Sequence, residues 1–290
     1  MLTIFTTAKP FKGHTGTIQR NALKSWTLLQ PACQILLIGN DDGSSEVARE
    51  YQLTHIPVVE RTDYGLPRID ALFALAEEHA KHTYLCYANA DIILMQDFIE
   101  SIKRVVAYRK RFLAVGKRWN LDVDAALKFA DPQWGAELRG LVQQHGHLFA
   151  HDALDYFVFP RGLYRKIPPM GVGREGWDNW MIYEARRHLA PVIDITPSTT
   201  VVHQNHDYGK FKDAMERFNS VESQRNQEFV GKGFFDLRDA THELLPERLH
   251  STWPSNFRWH MWRACLLFPG LRCLLIPLST VKRFAIRRGH

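Results

Sequence analysis

Apolar runs alternate with helically spaced apolar positions along the N-terminal half of the chain. Buried strands are predicted where apolar residues are nearly continuous, at residues 2–7, 35–39, 55–59 and 84–94. Helical spacing predicts helices between these strands, at residues 16–29, 45–51 and 65–82, with Ser44 or Ser45 as N-cap of the second. This alternation predicts an α/β fold, in which helices flank both faces of a mostly parallel central sheet.

Three polar clusters follow predicted strands. They are Thr6-Thr7-Ala8-Lys9, the Gly-Asn-Asp-Asp-Gly-Ser segment at 39–44, and Asn89-Ala90-Asp91. Ligands of such a sheet bind beyond the carboxyl ends of its strands, so we expect the clusters to meet in one crevice. Asp91 is the most informative residue, because an ionised carboxylate among aliphatic neighbours is costly to bury unless a cation or several hydrogen bonds satisfy it. The pattern therefore predicts a metal-phosphate site at Asp91.

The second half of the chain repeats the pattern of strands with polar ends. Apolar patterning predicts a strand at 156–159, a helix at 177–187 and a β-rich segment at 192–202. The last segment leads into a loop that carries His203 and His206, three residues apart and beside an aspartate. His203 repeats the position of Asp91, because both are polar residues at the mouth of a predicted strand.

The order of these elements resembles the glycosyltransferases of the GT-A fold, particularly the family 2 group. That group shows a helix ending near Ser-Leu or Ser-Trp, a strand running into Asp-Asp-Gly-Ser, and a later strand closed by Asp-x-Asp. The counterparts here are residues 21–26, residues 35–44 and Asn89-Ala90-Asp91, and the match covers roughly the first 120 residues. One departure is Asn89 at the first acid of Asp-x-Asp. An amide is a neutral oxygen ligand, which can still bind ribose or a metal-bound water.

The resemblance implies a donor site for a nucleoside-diphosphate sugar in the N-terminal half. The residues implied at this nucleotide are Thr6, Thr7, Asp41, Asp42, Arg68 and Asn89. Asp91, with the late His203, would hold a divalent cation, Mn²⁺ or Mg²⁺, on the diphosphate. The cation would stabilise the negative charge that grows on the leaving oxygen. Arg68 opens a predicted helix and reaches a phosphate in this interpretation, and the alternative is a solvated helix-start arginine.

The resemblance also implies an acceptor side at Gly176-Trp177-Asp178-Asn179. An aspartate in this position of the fold takes the proton from an acceptor hydroxyl as general base, which predicts inversion at the anomeric carbon. The alternative is that Asp178 only stabilises the helix dipole. Trp177 either stacks on a sugar ring or fills core space, and Asn179 is expected beside it at the acceptor.

Composition and charge refine the expected setting. The 290 residues carry a net charge of +6, which favours anionic partners. Nucleic acid is not expected, because no helix-turn-helix or aromatic RNA-binding motif accompanies the charge. The four cysteines form no Cys-x-x-Cys pair and no secretory leader is recognised, so we expect a reducing, cytoplasmic setting.

The last 40 residues change in character. Residues 253–290 interleave aromatic and basic side chains, and Pro269, Gly270, Arg272 and Pro277 interrupt every long apolar run. A transmembrane helix is therefore not expected. The segment either lies on an anionic membrane surface, at the inner face of a membrane, or packs on the catalytic domain with a basic outer face. We predict a GT-A domain at 1–245, with a nucleotide-sugar half at 1–120 and an acceptor half at 121–245, and a C-terminal extension at 246–290.

The sequence thus predicts a nucleotide-sugar-dependent glycosyltransferase of the hexosyltransferase type. Its acceptor would be a glycan or a lipid-linked saccharide, as in polysaccharide biosynthesis. One alternative is a nucleotidyltransferase of similar fold, for which residues 6–14 would be a poor phosphate loop. Another alternative is a non-catalytic protein that binds carbohydrate or a membrane surface. Asn89, in place of the first acid of Asp-x-Asp, is the feature that favours this alternative.

Overall fold

The computed structural model describes residues 1–152, 154–207, 211–231 and 234–270. The described strands are β1 Leu2–Thr6, β2 Gln34–Ile38, β3 Thr54–Ile56, β4 Tyr84–Ala88, β5 Ile92–Ile93, β6 Leu113–Val115, β7 Trp119–Leu121, β8 His147–Leu148, β9 Tyr156–Pro160, β10 Val192–Asp194, β11 Val202–Gln204, β12 His242–Leu244 and β13 Leu249–Ser251. The described helices are α1 Gly13–Thr27, α2 Ser44–Glu50, α3 Ile69–His79, α4 Gln96–Tyr108, α5 Trp134–His145, α6 Trp177–Arg187, α7 Ala214–Phe218, α8 Val221–Val230 and α9 Phe257–Leu267.

Nine strands form the main sheet, in the order β13-β12-β10-β6-β9-β4-β1-β2-β3. Five of its eight neighbouring pairs are parallel, and β9 runs antiparallel between β4 and β6. The predicted mostly parallel sheet is confirmed. Because β4, β1 and β2 are parallel neighbours, their carboxyl ends lie at one edge, where the three polar clusters follow them.

The core lies on both faces of this sheet, as alternating strand residues require. Phe5 of β1 packs with α3 and α6 on one face, through residues such as Phe73 and Met181. The adjacent Ile4 packs with α1 and α4 on the other, through residues such as Trp26 and Phe98. The predicted covering of both faces by helices is therefore confirmed.

Several predicted element boundaries in the N-terminal half differ from the observed ones, and two of the differences have a clear backbone cause. The helix predicted at 65–82 begins only at Ile69, because Gly65 has a φ of +80° in a turn and Pro67 forms a β-bridge with Arg61. The second helix begins after Gly43, whose φ is +86°, and no serine side chain caps it. Glycine takes this left-handed backbone conformation without steric cost.

A second, four-stranded sheet explains two further differences. Its order is β5-β11-β7-β8. The strand predicted at 84–94 ends at Ala88, turns, and continues as β5 in this second sheet. The segment predicted at 192–202 divides into β10 and β11, and His203 lies within β11 rather than after a strand.

The C-terminal part packs on the main sheet. The β12–β13 hairpin extends that sheet to Ser251, so the predicted boundary at 245/246 falls inside the hairpin. Helix α9 follows and docks through Arg263, whose Nε donates to Oδ1 of the buried Asp239 at 2.7 Å. No helix among the described residues is long and apolar enough to cross a membrane. The predicted membrane segment at 253–290 lies partly outside the described residues.

Candidate active site

Asp91, His203 and His206 converge in the turn between β4 and β5. The Nε2 atom of His206 lies 3.1 Å from Asp91 Oδ2, and that of His203 lies 3.8 Å from the same oxygen. One ligand atom from each of the three side chains lies within 4.8 Å of the others. All three side chains are partly buried, with 13–21% of their surface exposed. Asp91 and His203, which were expected at one cation, lie together here, and His206 of the same loop joins them.

Strand pairing brings these distant residues together. In the antiparallel pair of β5 and β11, His203 lies opposite Ile92, the residue after Asp91. Gln204, which is completely buried, fixes the turn, because its Nε2 donates to the Asp91 carbonyl oxygen at 3.0 Å. Asn21 of α1 donates to Gln204 Oε1 at 3.0 Å. Sequence reasoning gave neither amide a role, because both stand among other polar residues and nothing in the sequence indicates that they are buried.

The ionisation of the cluster follows from burial and mutual attraction. Burial alone would raise the pKa of Asp91, but the charges of His203 and His206 and the hydrogen bond from His206 hold it well below its usual range. The hydrogen bond with Asp91 raises the pKa of His206. Burial lowers the pKa of His203, which keeps this imidazole neutral at pH 7. Metal binding requires neutral imidazoles, so a cation that binds here would displace the proton that His206 shares with Asp91.

The side chains fit a divalent cation. Asp91 Oδ1 and His203 Nδ1 are buried and have no hydrogen-bond partner among the residues that the structure describes. The His206 Nδ1–H donates to the Asp207 carbonyl oxygen at 2.6 Å, which turns Nε2 towards Asp91. One carboxylate and two imidazoles suit a transition-metal ion such as Mn²⁺ better than Mg²⁺, which prefers oxygen ligands.

Thr7, Gly39 and Asp41 lie close together at the ends of β1 and β2. Thr7 Oγ1 is buried without a partner, and a Cβ on Gly39 would lie only 3.2 Å from it. Asp41 Oδ2 accepts from Arg61 at 3.0 Å. Thr7 and Asp41, from two of the strand-end clusters, therefore lie together, and Ala8 and Ala90, from the first and third clusters, share one buried apolar cluster. A single crevice for the nucleotide remains a prediction.

Three residues predicted at the nucleotide are placed differently. Thr6 is completely buried and its hydroxyl donates to the Thr7 carbonyl oxygen, because neighbouring strand residues face opposite ways. Asp42 is exposed and paired with Lys12, whose hydrogen bond lowers the pKa of Asp42. Arg68 is neutralised by two acids of its own segment, Glu60 and Asp70. The expectation that Thr6 faces the nucleotide is therefore wrong.

The predicted acceptor residues lie at the start of α6. Burial, together with the nearby Asp155 carboxylate, raises the pKa of Asp178 to about 7. Trp177 is only 5% exposed and packs against Tyr87 and Phe157, as its core-filling alternative predicts. Asn179 is also buried, and its Nδ2 donates to the Phe235 carbonyl oxygen at 2.7 Å. Trp177 and Asn179 thus pack the first turn of α6 against the core.

Asp155 connects the two sides of the site. Its charge acts on the pKa of His203 and on that of Asp178. It also accepts a hydrogen bond from Asn89 and pairs with Arg118. Sequence reasoning gave Asp155 no role, because nothing in the sequence places it opposite Asn89. Its only signal was an acid directly before the apolar strand predicted at 156–159.

Comparisons with known proteins identify the fold. No protein-family model and no curated protein matches the sequence. Among solved structures, residues 1–349 of S. aureus TarS in complex with UDP-GlcNAc match with a TM-score of 0.50 and 8% identity, over 79% of this chain and 70% of that one. GalNAc-T7 with UDP, GalNAc and Mn²⁺ matches with a TM-score of 0.51 and 15% identity, over 79% of this chain and about half (48%) of its own. The chain has the fold of these two proteins.

Proposed function

We propose that this chain, which has the GT-A fold, is a glycosyltransferase that moves a sugar from a nucleoside-diphosphate sugar to an acceptor hydroxyl with the help of a divalent cation. One observation carries the proposal: Asp91, His203 and His206 meet just after the carboxyl end of β4, which is the parallel neighbour of β1, the strand that Thr7 follows. The two structural neighbours, crystallised with UDP or UDP-GlcNAc, support the same donor class here.

Each part of the site has a place in this reaction. Asp91, His203 and His206 would hold the cation, which stabilises the charge on the leaving diphosphate. The unpartnered Thr7 hydroxyl and the Asp41 carboxylate offer hydrogen bonds to base and ribose. Burial of the cluster strengthens these interactions, because they act with little water between them.

Asp178 is the proposed general base, in a single displacement that inverts the anomeric carbon of a hexose. Its Oδ1 accepts from the Asn179 backbone N–H at 3.0 Å at the start of α6, which fixes the carboxylate. A pKa of about 7 suits a group that must accept a proton near neutral pH. The buried Trp177 and Asn179 hold the first turn of the helix in place.

A thermal-shift panel of nucleoside diphosphates tests the proposed donor. We expect one diphosphate at 100 times its dissociation constant to stabilise the protein by about 2.7 kcal/mol, and to do so with Mn²⁺ but only weakly with Mg²⁺. Nucleoside monophosphates serve as the control, because they lack the diphosphate whose negative charge the cation would stabilise. Equal responses without any divalent cation, or no response to any nucleotide, would count against the proposal.

The acceptor is proposed to be a glycan or a lipid-linked saccharide at an anionic, cytoplasmic membrane face. Support comes from α9, which exposes Phe257 (59%) and Trp262 (53%) in a basic segment. Replacing both with serine is expected to weaken binding to phosphatidylserine vesicles about tenfold, since two interfacial aromatic contacts are lost. Flotation measures this. Leu189→Ser, at a leucine 75% exposed elsewhere, is the control, and equal flotation of all three proteins would exclude the membrane contact.

A further inference from the structure

Asn89 occupies the position of the first acid in the Asp-x-Asp motif of the family 2 glycosyltransferases. Both polar atoms of its side-chain amide already form hydrogen bonds. Its Nδ2 donates to Asp155 Oδ1 at 2.7 Å, and its Oδ1 accepts from the Tyr87 hydroxyl at 3.0 Å. Its backbone N–H donates to the Asp155 carbonyl oxygen at 2.9 Å, and its own carbonyl oxygen accepts from Ile92 N at 3.1 Å. Asn89 is thus the link between Asp155 and the turn that carries Asp91.

Asp155 is also fully engaged. It is 7% exposed, its Oδ1 accepts from Asn89, and its Oδ2 pairs with Arg118. Arg118 is itself largely buried, with 14% of its side chain exposed, and its Nε donates to Asn120 Oδ1 at 3.0 Å. A buried ion pair of this kind persists only where every partner is satisfied. The row Tyr87, Asn89, Asp155 and Arg118 meets that condition.

The hydrogen bonds among Tyr87, Asn89, Asp155 and Arg118 accommodate only one negative charge, which either position 89 or position 155 can carry. An aspartate at position 89 would put a second carboxylate oxygen about 2.7 Å from Asp155 Oδ1, without a proton between them. Two like charges at such a distance in a partly buried site repel strongly. The neutral amide at position 89 is therefore the partner that Asp155 requires.

We propose that Asp155 is a positioning residue of the metal site, and that Asn89 and Asp155 act as one pair whose single charge lies on Asp155. The pair fixes the turn at 89–91 so that Asp91 faces His203 and His206. Asp155 also adds a negative charge that favours cation binding at the nearby imidazoles. This inference deepens the proposed function, since it rests on the same cation site. If Asn89 is the required partner of Asp155, its presence in place of an aspartate no longer supports the non-catalytic alternative.

A double-mutant cycle tests the pair with Asn89→Asp, Asp155→Asn and the double variant that carries both changes. In the double variant, the amide at position 155 can donate to the carboxylate at position 89 and accept from Arg118, so the hydrogen bonds of the row are kept. We expect each single variant to lower the apo melting temperature and to weaken Mn²⁺ binding about 10- to 100-fold, as removal of outer-shell partners does. The double variant should recover most of both losses, because the one charge is restored.

Mn²⁺ affinity is measured by electron paramagnetic resonance and stability by thermal unfolding without metal. Asp152→Asn, the same change at an exposed neighbour, should alter neither. If Asn89→Asp is insoluble alone, a soluble double variant that binds Mn²⁺ supports the pair, and insolubility of both overturns it. The pair is likewise overturned if Asn89→Asp melts and binds Mn²⁺ like the unmodified chain, or if the double variant is no better than the single ones. Neither readout needs sugar transfer, so a chain inactive as a glycosyltransferase would still give this cycle a clear result.

Discussion

Replacing Asp91 with asparagine is expected to abolish measurable Mn²⁺ binding and to lower kcat/KM for sugar transfer about a thousandfold, or about 4 kcal/mol of transition-state stabilisation. Asp91 is the only carboxylate in the cluster with His203 and His206, and its Oδ1 has no other partner. The variant keeps the size of the side chain but loses the negative charge that neutralises the cation. Isothermal titration with Mn²⁺ and steady-state kinetics measure the two effects.

Two comparisons separate the loss of a ligand from general damage. Asp124→Asn makes the same change at an exposed aspartate and should leave Mn²⁺ binding and turnover unchanged. His206→Ala should weaken Mn²⁺ binding while the fold remains intact, because the imidazole lies at the partly exposed edge of the cluster. If Asp91→Asn binds Mn²⁺ and turns over as well as the unmodified chain, the cation site proposed here does not exist.

The architecture could be predicted because its signals are local. The spacing of apolar residues at 177–187 predicted a helix, and α6 has those bounds. Three strand ends with polar clusters predicted a shared crevice, and parallel pairing of β4, β1 and β2 brings the clusters to one edge. The start of α3 was predicted too early, because the apolar pattern extends back over residues outside the helix. Gly65 lies in a turn there and Pro67 forms a β-bridge.

The site could be predicted only in part, because it depends on pairings between distant segments. His203 and Asp91 stand more than a hundred positions apart, and the register of β5 with β11 decides that they meet. Asp155 lies opposite Asn89 only because β9 runs antiparallel to β4. Thr6, whose hydroxyl donates to a neighbouring carbonyl oxygen, and Thr7, whose buried hydroxyl has no partner among the described residues, are adjacent in the sequence and look alike there. The local sequence pattern does not indicate which residues of two distant strands lie opposite each other.

Replacing Asp178 with asparagine is expected to lower kcat about 100- to 10,000-fold, which is the usual contribution of a general base. Nucleotide and Mn²⁺ binding should change little, because Asp178 lies on the proposed acceptor side. In the unmodified chain, kcat/KM should fall about tenfold per pH unit below about pH 7, since only the ionised carboxylate accepts a proton. The variant should lose this acidic limb. Steady-state kinetics between pH 5 and 9 measure both effects.

The same carboxylate should lower the stability of the free protein, and the direction follows from its pKa. Burial raises the pKa of Asp178 from 3.8 to about 7, so between these pH values the native state holds a proton that the unfolded state releases. The free energy of unfolding therefore falls as pH rises from about 4 to 7, and Asp178→Asn should be more stable than the unmodified chain at pH 8, by about 1–4 kcal/mol. Urea unfolding at pH 4 and pH 8 measures this difference, which should be small at pH 4, close to the unfolded pKa of 3.8. If Asp178→Asn is inactive yet more stable, the Asp178 carboxylate lowers the stability of the protein but is needed for catalysis. A fully active Asp178→Asn, or a product that retains the donor's anomeric configuration by NMR, would exclude Asp178 as the base of an inverting displacement.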